Sequence, residues 1–361
     1  MEIKPKLFSG FFGKCHCQGI AVDKARGYIY YSFTTKLVKC DLEGKLVGTV
    51  EDIVGHLGCI AFNDSDGRVY ASLEYKNDAI GKGILKNLGI GDESLRDGFY
   101  IAIFDADKID RVGMSAEADG VMRAVYLKTV TEDYEGETVN GGVRHLHVCG
   151  CSGIDGLAIG PDFGDPAGKR YLSVAYGVYS DTERTDNDYQ VILQYDHELW
   201  WEGYAKPLLQ KDMHRCGPDA PRRKYFLYTG NTTYGIQNLE YDAYTGDYIA
   251  CVYRGRKPWF PNYPIFIIDG AISAREEMLI GYDPEARGLV LTLKKTGSES
   301  SGISGVEFPF GSTGVYSFGD GRFYFSEDFV GEDGAQATNV CLYTLKIDES
   351  GWNFVRAEQL K

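Results

Sequence analysis

Long hydrophobic runs are missing from this chain of 361 residues, and no stretch is apolar over enough length to span a bilayer. An excess of basic residues is missing as well: 38 Lys and Arg stand against 52 Asp and Glu, for a net charge of −14. A nucleic-acid partner needs a strong basic patch to displace counterions, so that class is set aside. A small anionic ligand held by a few local cations is not. Leucine-rich stretches at helical spacing are scarce, which argues against a helical fold. The opening residues MEIKPKLFSG lack the apolar centre of a signal peptide, and a cytoplasmic location is expected. The nine cysteines are an odd number, scattered among strand-like segments and not grouped as a disulfide framework. Reduced, mostly buried thiols are expected from that pattern.

What the chain does hold is glycine and tyrosine, 45 and 26 residues, the composition of a turn-rich β protein. It also repeats. The stretch QGIAVDKARGYIYYSF (18–33) matches GCIAFNDSDGRVYASL (58–73): an alternating apolar strand, a turn opened by Asp or Asn, a Gly four residues later, then an aromatic-rich strand. The pattern returns at 155–176, at 237–253 and, shortened, at 313–328. The Asx-to-Gly turn suits a tight hairpin, because Gly accepts positive φ and the Asx side chain caps the turn. A third strand follows each hairpin, beginning at Lys36, Phe99, Tyr189, Pro264 and Asn339. Fourth strands are expected at 144–150, 224–230 and 306–311, each ahead of the next copy.

Four strands repeated five times describe an all-β fold, a five-bladed β-propeller over residues 1–361. The segment KPKLFSG (4–10) has the fourth-strand pattern but precedes the first copy, so the N-terminal strand is expected to complete the last blade and hide a sheet edge. The C-terminal NFVRAEQL matches MRAVYLK (122–128), a segment expected to precede the fourth strand. Six blades is the alternative, with a degenerate hairpin somewhere in 113–150. The phrase GIAVD…G-Y-IY resembles the blades of NHL and SMP-30-like propellers. That resemblance implies the fold and no ligand set.

In a propeller, residues just before each inner strand and just after each second strand converge on one funnel, a concave place of the kind that small molecules favour. His16 and His56 hold equivalent positions in the first two copies, each three residues before the aligned Gly19 and Cys59. One residue before the aligned glycine stand Gln18, Gly58, Asp155, Gln237 and Thr313. A cluster of His16, Gln18, His56, Asp155 and Gln237 is therefore expected around the axis. Neutral imidazoles suit proton transfer and metal binding alike. A divalent ion on the axis, if there is one, would fall to His16, His56 and Asp155. Water-binding polar groups lining the channel are the plainer alternative for each of these residues.

The second-strand ends add Glu74, Tyr176, Arg254, Arg256 and Glu327. The loop YRGRKPWFPNY (253–263) carries cations, aromatics and prolines together, so Trp259 is a candidate to stack a sugar while Arg254 or Arg256 grips an anionic group. The glycine-rich GKGILKNLGIG (81–91) lacks phosphate-loop spacing and is expected to be a loop. Cys15 and Cys17, like Cys149 and Cys151, are spaced by one residue, closer than paired zinc ligands usually are.

Some five-bladed propellers hydrolyse glycosides and other propellers cleave uronic-acid polymers. By that analogy the expected function is a carbohydrate-active enzyme, a glycoside hydrolase or a polysaccharide lyase acting on a small or oligomeric, and in some cases acidic, sugar. His16, His56, Tyr176, Glu74 and Glu327 are the catalytic candidates, and Gln18, Asp155, Gln237, Arg254, Arg256 and Trp259 the binding candidates. Two alternatives stand beside this one: a non-catalytic binding propeller, and a metal-dependent hydrolase of lactones or phosphoesters. The sequence does not indicate an oligomeric state.

Overall fold

The computed structural model describes residues 3–90, 96–230 and 233–360. Its strands form five blades in a ring, a five-bladed β-propeller. The inner strands are Cys17–Asp23, His56–Asn63, Cys151–Asp162, Thr233–Asp242 and Val315–Ser317. Each packs against the next, and the last returns to the first. Every inner strand pairs antiparallel with the strand that follows it, beginning at Tyr28, Arg68, Asp165, Asp247 and Arg322. Third strands begin at Lys36, Gly98, Tyr189, Ile265 and Gln336.

The hairpin turns use the chemistry read in the sequence. In blade one the Asp23 carboxylate accepts from the Arg26 amide at 3.0 Å, and Gly27 closes the turn at φ +75°. Close approach at the axis demands glycine for a different reason. A Cβ on Gly19 would stand 2.8 Å from the Ile60 amide nitrogen, so blades one and two touch backbone to backbone there. Polar side chains stitch the inner strands together: Ser32 Oγ donates to Gly58 O at 2.6 Å, and Asn238 Nδ2 donates to Gln18 O at 2.9 Å and to Ser312 O at 3.0 Å. Between the blades the buried aromatics stack, with tyrosine hydroxyls anchored at the rims, as in Tyr70 to Asp66 at 2.7 Å and Tyr324 to Lys4 O at 2.8 Å.

Closure follows the expected route. Lys6–Phe8 pairs antiparallel with Asn339–Cys341 of the last blade, burying Leu7. The C-terminal strand Gly351–Arg356 pairs with the far half of that same third strand.

Three expectations are corrected. The fourth strand of blade two is Met122–Tyr126, not 144–150. Residues Val143–Leu146 pair instead with Glu137–Asn140 as a separate two-stranded hairpin, which adds no sixth blade to the ring. In blade four the segment 306–311 gives a single bridge, Ile265 to Val306, because Pro309 interrupts the donors a ladder needs. The expected loop at 81–91 holds a helix, Ala79–Asn87, which Asp78 caps by accepting from the amides of Ile80 at 3.0 Å and Gly81 at 2.9 Å. Residues 91–95 of that connection lie outside the described ones.

Among the described residues no helix is long and apolar enough to cross a membrane. All nine cysteines are free, seven of them buried.

Candidate active site at one mouth of the axis

A cavity of about 390 Å³ opens at the face where the inner strands begin. His16, Gln18, His56, Glu74, Asp155 and Gln237 all line it. Register shifts in the ladders of blades one to four bring them there. The ladders of blades three and four slip register beside Asp155 and Gln237, and such bulges re-aim side chains. In blade two His56 stands directly across from Glu74 in the ladder.

The floor is a charge cluster. His56 Nδ1 lies 3.3 Å from Glu74 Oε1 and 3.6 Å from Asp155 Oδ1. Lys76 Nζ holds Glu74 by a short ion pair and donates to Ser152 O at 2.7 Å. Glu74 Oε2 accepts from the Ile154 amide at 3.0 Å. Burial pushes the Glu74 carboxyl up, but Lys76 and His56 outweigh it and leave it below its ordinary value. Burial pulls His56 down, and Glu74 and Asp155 more than restore it. Lys76 is likewise held above its ordinary value, with Glu74 overriding burial.

Asp155 is the member left over. Its Oδ2 accepts from Gln237 Nε2 at 3.1 Å, while its buried Oδ1 has no hydrogen bond. Burial, then the charge of Glu74, pushes this carboxyl up to about 6. Across the cavity, His16 Nδ1 donates to Cys17 O at 2.7 Å, which leaves Nε2 as the acceptor, 3.5 Å from Gln18 Nε2. Burial lowers His16, so it is neutral at pH 7. Asp328 Oδ2 stands 3.8 Å behind it, and burial pushes that carboxyl up to about 7.

A divalent ion would find donors here, since His56, Glu74 and Asp155 offer atoms within 4.8 Å of one another. His16 is not in that group. The Lys76 ammonium already sits on Glu74, the place where such an ion would draw its strongest ligand, so the donor set suits a proton-handling cluster better than a metal centre.

The remaining candidates lie elsewhere. Tyr176 is fully buried between blades with its hydroxyl on Asp133 at 2.6 Å. Arg254 is exposed and paired with Glu307, and Arg256 and Trp259 are exposed on the same loop; none of the three lines the cavity. Glu327 accepts from Tyr343 OH at 2.8 Å and meets Arg356 at 3.4 Å. Of the second-strand ends in blades three to five, Tyr253 lines the cavity, while Tyr176, Arg254 and Glu327 meet other partners.

The structure also adds residues. Ile80 and Ile84 of the helix Ala79–Asn87 form an apolar wall, and their four-residue spacing behind a capping Asp was a readable helix signal. Tyr234 stands 44% exposed at the rim, at φ +65°, edge-on to Tyr253 with ring centroids 6.0 Å apart. Nothing in its sequence neighbourhood marks it.

No family model matches the chain, and no curated protein matches it. Solved structures do. An exo-1,5-α-L-arabinanase from a bovine ruminal metagenomic library is similar over 96% of this chain and 98% of its own, at 12% identity and a TM-score of 0.43. A Bombyx mori β-fructofuranosidase matches 98% of this chain and 63% of its own, at 11% identity and a TM-score of 0.42. A Bacillus subtilis arabinanase matches 93% and 97%, at 11% identity and a TM-score of 0.40. No residue role is taken from them.

Proposed function

We propose that this cavity is the active site of a hydrolase acting on a neutral sugar, with Asp155 as the proton donor to the leaving group and His16 as the base that activates water. The observation that carries the reading is the Asp155 carboxyl: buried at the cavity floor, one oxygen unbonded, and held up to about 6 beside an already neutralised Glu74–Lys76 pair. A carboxyl in that state is protonated near neutrality often enough to act as a general acid. His16 has the complementary property, a neutral imidazole with Nε2 free of a proton.

The sugar class rests on the lining. Amides and hydroxyls of Gln18, Gln237, Ser152, Thr34 and Tyr253 surround the floor, with Ile80 and Ile84 opposite, a polar array and an apolar wall matched to the edges and face of a pyranose or furanose ring. Elimination on a uronate needs a cation for the carboxylate, and the arginines read as that cation are turned away, with Arg254 tied to Glu307. Lys14 lines the mouth, so the preference for hydrolysis rests on the Asp155 carboxyl and not on a lack of cations. The metal-dependent hydrolase remains the second reading, on the His56, Glu74 and Asp155 donors.

A panel of chromogenic α- and β-glycosides, neutral and uronate oligosaccharides, lactones and phosphoesters, each with and without chelator, tests these readings. The expected result is chelator-insensitive release from a neutral glycoside, lost at least about a hundredfold in Asp155→Asn. Sugar binding without turnover would leave a binding propeller in place of an enzyme. Chelator-sensitive turnover of a lactone or phosphoester would select the metal reading.

A further inference from the structure

The axis has a second mouth. Asn238, 1% exposed, bridges Gln18 O and Ser312 O across the inner strands. At the far ends of those strands lies a separate cavity of about 160 Å³, which shares Phe62, Asp64, Ile159 and Arg170 with a pocket of about 730 Å³ beside it. From Lys24, Arg170 and the apolar surface of Phe62 and Ile159, we propose that this opposite mouth is a second ligand site, taking a small molecule that carries one oxyanionic group, carboxylate or phosphate, on an apolar body.

Charge is the first ground. In a chain of net charge −14, two cations line one small cavity, and among the described residues neither lies within ion-pair distance of a carboxylate. Among the described residues Lys24 Nζ hydrogen-bonds Phe318 O, at 3.3 Å. Arg170 spends one amino group on Ile159 O at 2.5 Å and lays its plane over Tyr241 at 5.4 Å, which leaves its remaining donors unassigned. Lys169 is different: Asp196 and Glu198 each hold it at 2.8 Å.

The acids in the same place do not cancel those cations. Glu240 accepts from the Ser317 amide at 2.8 Å, and burial pushes its carboxyl up to about 8, so at neutral pH it is an uncharged hydrogen-bond donor. Among the described lining residues the other acids are Asp64, which lines both pockets, and Glu198, which Lys169 holds, while Asp320 acts on Lys24 from nearby. In the adjoining pocket His197 is 3% exposed and its Nδ1 has no hydrogen bond, an unpartnered polar atom of the kind that a ligand satisfies. A guanidinium, an ammonium and a carboxylic acid around one cavity are donors suited to an oxyanion. The apolar side chains and the larger pocket give its body room.

The test is calorimetric titration with phenyl phosphate and with inorganic phosphate at fixed ionic strength. Phenyl phosphate should bind saturably at one site per chain and several-fold more tightly than inorganic phosphate. Lys24→Gln and Arg170→Gln should each weaken it at least tenfold, whereas Asp155→Asn, at the opposite mouth, should leave it within about twofold. If Arg170→Gln fails to fold for want of its Ile159 and Tyr241 contacts, Lys24→Gln decides, since Lys24 is an exposed residue with one part-buried hydrogen bond. Absence of saturable binding, equal affinity in all three variants, or loss in Asp155→Asn alone would overturn the proposal. The hydrolase reading can fail without touching it.

Discussion

Glu74 and Lys76 form an ion pair at the floor of the axial cavity, with side chains only 1% and 4% exposed. Breaking one side of such a pair strands the other charge away from water, at a typical cost of about 3–5 kcal/mol. Lys76→Met should therefore lower stability by roughly that amount, and Glu74→Gln by a similar amount. The double variant should recover much of the loss. Chemical denaturation of all four proteins measures the coupling, and additive losses would mean that the pair is not the unit the geometry describes.

Activity should follow a bell in pH, with both limbs traceable to named groups. Asp155 must carry a proton to act as acid, so turnover should fall as pH rises above about 6. His16 must be neutral to act as base, and because burial lowers it, the acid limb should lie below the ordinary histidine range. The upper limb belongs to the coupled His56, Glu74 and Asp155 cluster as a whole. Asp155→Asn should remove it along with at least about two orders of magnitude in kcat. A pH–rate profile of the variant that kept the upper limb would assign the proton elsewhere.

Tyr234 offers a separation of binding from stability. Its left-handed backbone is a strained conformation for a tyrosine, and its side chain is half out in solvent. Tyr234→Gly relieves the strain and keeps the carbonyl that accepts from Gln237 Nε2 at 3.0 Å. The variant should be no less stable in thermal unfolding, yet KM for the best glycoside should rise several-fold if the ring stacks on the sugar. An unchanged KM would make the residue part of the wall only.

The fold was legible because its signal is repeated and local. Alternation, an Asx at the turn and a Gly four residues on are set by strand and hairpin physics; the full turn recurs in blades one, two and four, lengthened in blade three and shortened in blade five. Fourth strands were harder. They are outermost and most tolerant of irregularity, so blade two takes Met122–Tyr126 and blade four keeps only isolated bridges, at Val306 and Leu293, among the described residues. The inner-strand cluster was visible for the same reason as the fold: one register around a ring places His16, Gln18, His56, Asp155 and Gln237 at one mouth. Of the second-strand ends, Glu74 reaches the same mouth, but the others named for catalysis do not. There a shift of one residue reverses the side-chain direction, and Tyr176 and Glu327 turn to Asp133 and Tyr343. The helix Ala79–Asn87 was less legible, because glycines at 81 and 83 disfavour a helix that the capping Asp78 starts.

Glu240 gives a stability prediction with a definite sign. Its folded carboxyl is pushed up to about 8, whereas an unfolded glutamate titrates near its ordinary value of about 4.3. The folded protein therefore binds more protons than the unfolded chain between those values. The contribution of this group to stability is full below the lower one and is lost as pH rises to the upper. Each unit of separation corresponds to at most about 1.4 kcal/mol, so the loss by pH 8 should reach a few kcal/mol. Glu240→Gln keeps the shape, and a rotated amide oxygen still accepts from Ser317, but the group no longer titrates. Its stability relative to the native sequence should climb steadily from about pH 5 to about pH 8 and then level off. Asp328, pushed up to about 7 behind His16, should act in the same direction over a shorter span, so the comparison is made between Glu240→Gln and its parent and not against a pH-independent baseline. Urea unfolding at half-unit steps of pH reads the difference directly. A gap that stayed constant across that range would mean that the carboxyl is ionised in the folded protein, with Lys24 and Arg170 holding its charge.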